Sequence, residues 1–234
     1  MFSNSARIYD AVYAFKDYSA EAARVQALIQ ERCPGASSLL DVACGTGKHL
    51  EQFQRWYDDV AGLDLDEELI GVAGERLADV PLHVGDMTSF DLGRKFDAIT
   101  CLFSSIGYVG TVVRLNDAIA AMAAHLTPGG VLVLEPWLAP EVWKVGRPDL
   151  LTVDEPDLKI ARMTMTSQEG LLAIMDFAYL VATPEGLQHF SERHEAALFT
   201  DDEYRQAFNA AGLVVEHDEH GLIGRGLYIG QSIR

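Results

Sequence analysis

The sequence predicts an α/β fold on a mostly parallel sheet with an inserted antiparallel β subdomain, and three observations carry that prediction. Through position 135, short apolar runs alternate with stretches of helical periodicity, the pattern of strands buried on both faces by crossover helices. The segment 39–50, LLDVACGTGKHL, joins such a strand to a helix through a glycine turn. Beyond Pro136 the texture changes to strand-like runs at 159–167, 171–182 and 187–198, separated by Gln168-Glu169-Gly170 and Pro184-Glu185-Gly186, as in antiparallel hairpins.

Taken in order, positions 20–31 carry apolar residues at helical spacing and stop at Cys33-Pro34-Gly35. Leu39, Leu40 and Val42 form the first strand; Gly45 and Gly47 then let backbone pass a ligand without a Cβ in the way, and the helix that follows has unpaired first amides. A second strand at 60–63 ends at Asp64, with a helix running on through Ala78, and a third at 82–84 ends at Gly85-Asp86-Met87. A fourth covers 96–103. A helix over 115–126 closes on Pro128-Gly129-Gly130, and a fully apolar fifth strand at 131–134 ends at Glu135. After the hairpin region come a helix at 201–211 and strands at 213–216 and 226–229. The expected division is a core at 1–135 with an N-terminal helical cap, an inserted layer at 136–200 over the strand ends, and a return to the core sheet at 201–234. Ligands are expected at the carboxyl ends of the strands.

The chain has 234 residues, 49% of them hydrophobic, enough for one elaborated α/β domain. Its net charge of −17 argues against nucleic acid as a partner. No apolar run reaches the roughly 18 residues of a membrane span, and the start, MFSNSARIYD, has no basic and apolar leader pattern, so a cytoplasmic protein is expected. Three cysteines without CxxC spacing suggest neither disulfides nor a zinc ribbon. Metal is not expected: His189 and His194 lack HExxH spacing, and His217 with His220 lacks further ligands. Ser104-Ser105 makes no hydrolase elbow, and Cys44 reads as a small packing residue of the turn.

The glycine turn narrows the cofactor. A phosphate loop needs GxxxxGK followed by Ser or Thr, whereas Lys48 follows a short GTG and precedes His49. A dinucleotide turn wants a small third residue where Leu50 stands. What remains is a turn that needs no diphosphate, with Asp64 placed to accept both hydroxyls of a ribose. Asp86 is placed to read an adenine amino group, with Met87 beside it to pack on the ring.

DVACGTG, GLD ending at Asp64 and GDM, in that order, resemble the three motifs of the class I S-adenosylmethionine (SAM) methyltransferases. The resemblance implies that Asp41 and the amides near Ala43 and Gly45 hold the methionine end of SAM, with Thr46, Gly47, Leu65 and Phe103 completing the site, and a Rossmann-like seven-stranded sheet. Further stretches extend it over nearly the whole chain: KDY at 16–18, LFSSIGY at 102–108, EPW from Glu135, HFSERHEAALF from His189 and GRGLYIG from Gly224 are similar to the N,N-dimethyltransferases of dTDP-3-amino-deoxysugars, the desosamine and mycaminose type. That implies a dTDP-amino sugar substrate, methylated twice on its amine, and a homodimer. Tyr9 and Tyr18 either cover the adenosine pocket or pack the N-terminal helix, and the resemblance favours a ligand-facing hydroxyl. Tyr108 is the first candidate to meet the reacting amine and His194 the second. Ser105 and Trp137 are assigned to the substrate, Trp137 stacking on a base or sugar or else serving as core. Arg225, between Gly224 and Gly226, suits a diphosphate.

Two departures from the family pattern fall where substrate should sit. Leu138 and Ala139 follow Trp137 where the family commonly has bulkier aromatics, and the segment between Tyr9 and Lys16 is shortened. A methyltransferase of another small metabolite, or a protein that keeps SAM without turnover, are the alternatives; a nicotinamide oxidoreductase is a remote third.

Overall fold

The computed structural model describes residues 5–233. Residues 1–4 and 234 lie outside them, including the start of the segment read above as carrying no leader. After a 3₁₀ turn, Ala6–Ile8, the elements are α1 (Tyr9–Val12), α2 (Tyr18–Arg32), β1 (Ser38–Val42), α3 (Lys48–Phe53), β2 (Asp59–Asp64), α4 (Glu67–Arg76), β3 (Leu82–Val84) and β4 (Phe96–Cys101). A second 3₁₀ turn, Ser105–Val109, leads to α5 (Val112–Ala124) and β5 (Leu126–Leu134). Then come β6 (Pro148–Glu155), β7 (Leu158–Glu169), β8 (Leu172–Thr183), β9 (Gly186–Ala197), α6 (Asp201–Ala210), β10 (Leu213–Asp218) and β11 (Leu227–Ser232).

The larger sheet has seven strands in the order β10-β11-β5-β4-β1-β2-β3, parallel except where β11 runs against both neighbours. Because the chain leaves β1 toward β2 and β3 and then returns to place β4 on β1's other side, a crevice opens at the carboxyl ends of β1 and β4. Both faces are covered. Leu39, Val60, Val131 and Val133 pack with Val25, Ile29, Leu50 and Phe53 on one side, and Leu40, Leu63, Ile99 and Leu132 with Leu115, Ile119, Tyr204 and Phe208 on the other. Capping fixes the helix starts: Asp17 accepts from Ala20 N–H, Asp66 from Glu68 and Leu69 N–H, and Thr200 with Glu203 forms a capping box.

Four antiparallel strands, β6-β7-β8-β9, form the second sheet. Three strand-like runs were expected there, and β6 is the addition. PDLLTVDE lies at the sheet's edge, pairs only with β7 and keeps most of its side chains exposed, so it carries proline and acids in place of clean alternation. The expected turn at Pro128-Gly129-Gly130 is instead part of β5, which starts at Leu126 and reaches β4 through an irregular register between Phe96 and Ala98. β4 ends at Cys101, two residues before its expected end, because Phe103 and Ser104 turn into the left-handed region.

Candidate active site

The chain leaves β1 in a tight turn. Ala43, Gly45 and Gly47 all have positive φ, at 59°, 56° and 77°. The two glycines serve different ends. A Cβ on Gly47 would stand 2.6 Å from Leu77 Cδ1 and 3.3 Å from Ala73 Cβ, so this position brings α3 against α4. A Cβ on Gly45 would meet nothing within 4 Å, and Gly45 lines a cavity of about 750 Å³.

That cavity runs from the carboxyl ends of the parallel strands to the four-stranded sheet. At its parallel-strand end, Asp64 accepts from Gly45 N–H at 2.8 Å with one oxygen and from Asp66 N–H at 2.9 Å with the other, which fixes the carboxylate. Burial raises its pKa. Leu65, Met87 and Phe103 line the same end. Asp86 is tied to Thr88 and, at 2.9 Å, to Arg114; these partners outweigh burial and hold its carboxyl below the usual range.

A recess of about 30 Å³ adjoins the turn, lined by Tyr9, Tyr18, Asp41, Ala43, Gly45, Thr46 and Ser105 among others. Asp41 accepts from Thr100 Oγ1 at 2.7 Å, and burial pushes its carboxyl up to about 6. Tyr18 Oη is buried and has no hydrogen-bond partner among the described residues. Below the recess, Lys16, Glu21 and His49 form a buried chain of contacts at 2.7 and 2.9 Å, with Lys16 Nζ 4.1 Å from the Phe103 ring centroid.

On the other side, the Phe103–Ser104 turn is clamped by Glu135, which accepts from Phe103 N–H at 2.7 Å, and by Ser104 Oγ donating to the Pro136 carbonyl at 2.6 Å. Arg225 donates to Ser104 Oγ at 2.7 Å and lies 4.8 Å from the centroid of a Trp137 ring. Tyr108, Trp137 and Arg225 all line the cavity, as does Leu138.

The structure thus gathers nearly all the sequence-predicted residues around one cavity and its recess. Two stand apart: Gly47 lines neither, and His194 is buried behind Tyr108, 2.8 Å from its hydroxyl. Sequence reasoning missed Asp10, which holds α1 over the glycine turn by accepting from Thr46 Oγ1 at 2.6 Å and pairing with Arg76. It also missed Arg162, Arg147 and Lys144 on the cavity wall, and Glu192 behind it. Alternation along β9 was the available signal for Glu192, which shares a strand face with His194.

Comparisons agree with this geometry. A family described as methyltransferase domain matches residues 39–130. The chain is 47% identical over 228 residues to the dTDP-3-amino-3,4,6-trideoxy-alpha-D-glucopyranose N,N-dimethyltransferase of Streptomyces venezuelae, covering 96% of both chains. It is 42% identical over 227 residues to the dTDP-4-amino-2,3,4,6-tetradeoxy-D-glucose N,N-dimethyltransferase of Saccharopolyspora spinosa, covering 96% of this chain and 91% of that one. The crystal structure of Streptomyces venezuelae DesVI superposes with a TM-score of 0.93 at 46% identity over 98% of each chain. SAM-bound CalS10, an amino pentose methyltransferase from Micromonospora echinaspora, does so at 0.88 and 42% over 96% of each. With the three ordered motifs at the strand ends and relatives this similar over nearly their whole length, the chain belongs to the SAM-dependent N,N-dimethyltransferases whose named members act on dTDP-linked amino sugars.

Proposed function

We propose that this enzyme methylates, twice, the amine of a dTDP-linked amino-deoxysugar. One observation carries the substrate reading: the cavity is divided by charge. Asp64, Asp66 and Asp86 line its cofactor end, where Arg114 is paired with Asp86, whereas Lys144, Arg147 and Arg162 line it from the four-stranded sheet and the segment leading into it, with Asp149 among them, and Arg225 adds a cation from the loop before β11. In a chain of net charge −17, that concentration of cations suits a diphosphate.

The residues at the other end fit SAM. Gly45 leaves open space where a Cβ would stand, Tyr18 Oη is a buried hydroxyl in need of a partner, and the Asp64 carboxylate lines the cavity. Asp64 is proposed to hold the ribose, Asp86 and Met87 the adenine, and Asp41, Tyr9 and Tyr18 the methionine end. When bound, SAM supplies a methyl group activated on a sulfonium. The protein's part is to hold the amine in line with it, at roughly 3 to 3.5 Å, and to exclude water. Tyr108 and Trp137 are proposed to place the sugar.

The outward face of the four-stranded sheet supports a homodimer. Leu150, Met163 and Ala178 stand in one cross-strand row and Thr152, Ala161 and Leu180 in the next, with Leu150, Met163 and Leu180 exposed. Among the described residues no helix is long and apolar enough to cross a membrane. Both substrates are charged and cross bilayers poorly, so the enzyme is proposed to work in the cytoplasm with them, without nucleic acid.

The test is mass spectrometry of the purified protein with SAM and a panel of dTDP-3-amino and dTDP-4-amino sugars, with hydroxyl-only sugars as controls. Gain of two methyls on an amino sugar is expected. Demonstrated SAM binding without methylation of any panel member would reject the substrate.

A further inference from the structure

Behind Tyr108 lies a line of polar groups to which binding and orientation assign no task. Tyr108 Oη is 2.8 Å from His194 Nδ1, and His194 Nε2 is 3.5 Å from Glu192 Oε2, the long end of a hydrogen bond. Glu192 accepts from Ser5 N–H at 3.2 Å and from Ser5 Oγ at 2.8 Å, one with each oxygen. His194 and Glu192 are only 1% and 9% exposed. A carboxylate that accepts with both oxygens also accepts from the imidazole. His194 therefore presents Nε2–H to Glu192 and turns the lone pair of Nδ1 toward the Tyr108 hydroxyl. Such an imidazole is a proton acceptor reached from the cavity through a phenol.

We infer that Tyr108, His194 and Glu192 form a proton relay that frees the amine of its proton inside the site; this rests on the amino-sugar reading above. The bound ammonium gives an N–H proton to Tyr108 Oη as Tyr108 passes its own proton to His194 Nδ1. One N–H and one O–H bond break and one of each forms. Tyr108 ends neutral, the amine regains its lone pair, and the new imidazolium faces the Glu192 carboxylate. Tyr108 is the catalytic residue, while His194 and Glu192 act through it. Passing a proton on, without first losing one, suits this phenol, because burial raises its pKa far above the ordinary value.

The surroundings give Glu192 its purpose. Tyr13, Tyr179 and Arg225 face Tyr108, and Phe177 packs on His194 at 4.9 Å with Arg162 lying 4.8 Å above the Phe177 ring. The positive charge of Arg225 acts on Tyr108 and opposes the arrival of a further proton here, and the Glu192 charge acts in the opposite sense.

The experiment compares wild type with Tyr108→Phe, His194→Gln and Glu192→Gln, reading kcat and KM on a turned-over dTDP-amino sugar between about pH 6.5 and 9.5. Without the relay only amine already unprotonated in solution reacts, and that fraction grows tenfold per pH unit below the amine's own pKa. Each variant is expected to lose about 10²-fold in kcat at pH 7, with the loss shrinking steadily as pH rises. A loss of equal size at every pH, or no loss, overturns the relay. Nitrogen-15 NMR of the substrate-free wild type is expected to show His194 as the Nε2–H tautomer, and an Nδ1–H tautomer overturns the relay independently of any substrate. Failure of the wild type on every dTDP-amino sugar overturns the substrate reading and the relay's task with it. Full activity of the three variants on a good substrate overturns the relay alone.

Discussion

Replacing each glycine of the GTG turn by alanine should separate two quantities that a single mutation usually confounds. At Gly47 the new methyl starts 2.6 Å from Leu77 Cδ1 and 3.3 Å from Ala73 Cβ, in a backbone with φ of 77°. The left-handed conformation costs an L-residue about 1 to 2 kcal/mol and the forced repacking of Leu77 about 1 to 3 more, so a loss of about 2 to 5 kcal/mol is expected. For a chain of this length that lowers the melting temperature by about 4 to 20 °C. Gly45→Ala carries only the backbone term, about 1 to 2 kcal/mol, because its methyl meets no protein atom. That methyl stands instead in the space assigned to SAM. At a hundredfold excess over its Kd, SAM stabilises the folded state by about 2.7 kcal/mol, or about 5 to 11 °C. Thermal melts with and without SAM should show Gly47→Ala melting lowest but still rising with SAM, and Gly45→Ala melting about 2 to 8 °C below wild type with the SAM-dependent rise lost. A full rise in Gly45→Ala, or a wild-type melt for Gly47→Ala, would refute the division of labour.

Three further outcomes are expected. The buried Asp41 carboxyl titrates near 6 against an ordinary 3.8, so the folded state favours its neutral form; that stabilisation is complete below about pH 4 and is lost as pH rises through 6. Asp41→Asn keeps an acceptor for Thr100 and stays neutral, so its unfolding free energy in urea should exceed that of wild type at pH 8, by at most about 3 kcal/mol, and converge with it near pH 4; an offset independent of pH would contradict this. Arg225→Ala should raise KM for the nucleotide sugar about 10- to 100-fold while leaving the Kd for SAM unchanged, as calorimetry with each ligand can check. Asp10→Ala breaks the latch to Thr46 and Arg76 and should speed release of S-adenosylhomocysteine several-fold in stopped flow, without a comparable change in melting.

The cofactor half of the site was legible because its chemistry is local in sequence. Asp41, Gly45 and Asp64 sit at the ends of short apolar runs, where strand period and turn composition locate them without knowledge of the tertiary packing. The latch at Asp10 was not legible, since its partners Thr46 and Arg76 lie 36 and 66 positions away and nothing in YDAV marks a residue that reaches them. The edge strand β6 escaped for a different reason: with one neighbouring strand and solvent elsewhere, its residues carry little of the apolar alternation that betrays β7 and β8. Tyr108 and His194 were each picked out by resemblance, but their joining at 2.8 Å depends on how β9 packs against the 3₁₀ turn, a contact between segments 86 residues apart.

Ser5 is bonded to Glu192 and Asp10 to the glycine turn, so residues 5–10 tie the four-stranded sheet to the end of β1, with Tyr9 between them lining the cavity. At the other extreme, Ser232 exchanges hydrogen bonds with Thr127 and Gly129 at the amino end of β5, on the side of the larger sheet away from the cavity. Affinity tags, fluorophores and immobilisation tethers therefore belong after residue 232. A fusion ahead of residue 5 would load the segment that leads into Tyr9 and Tyr13 on the cavity wall, and kinetic constants from such a fusion would report the attachment along with the enzyme.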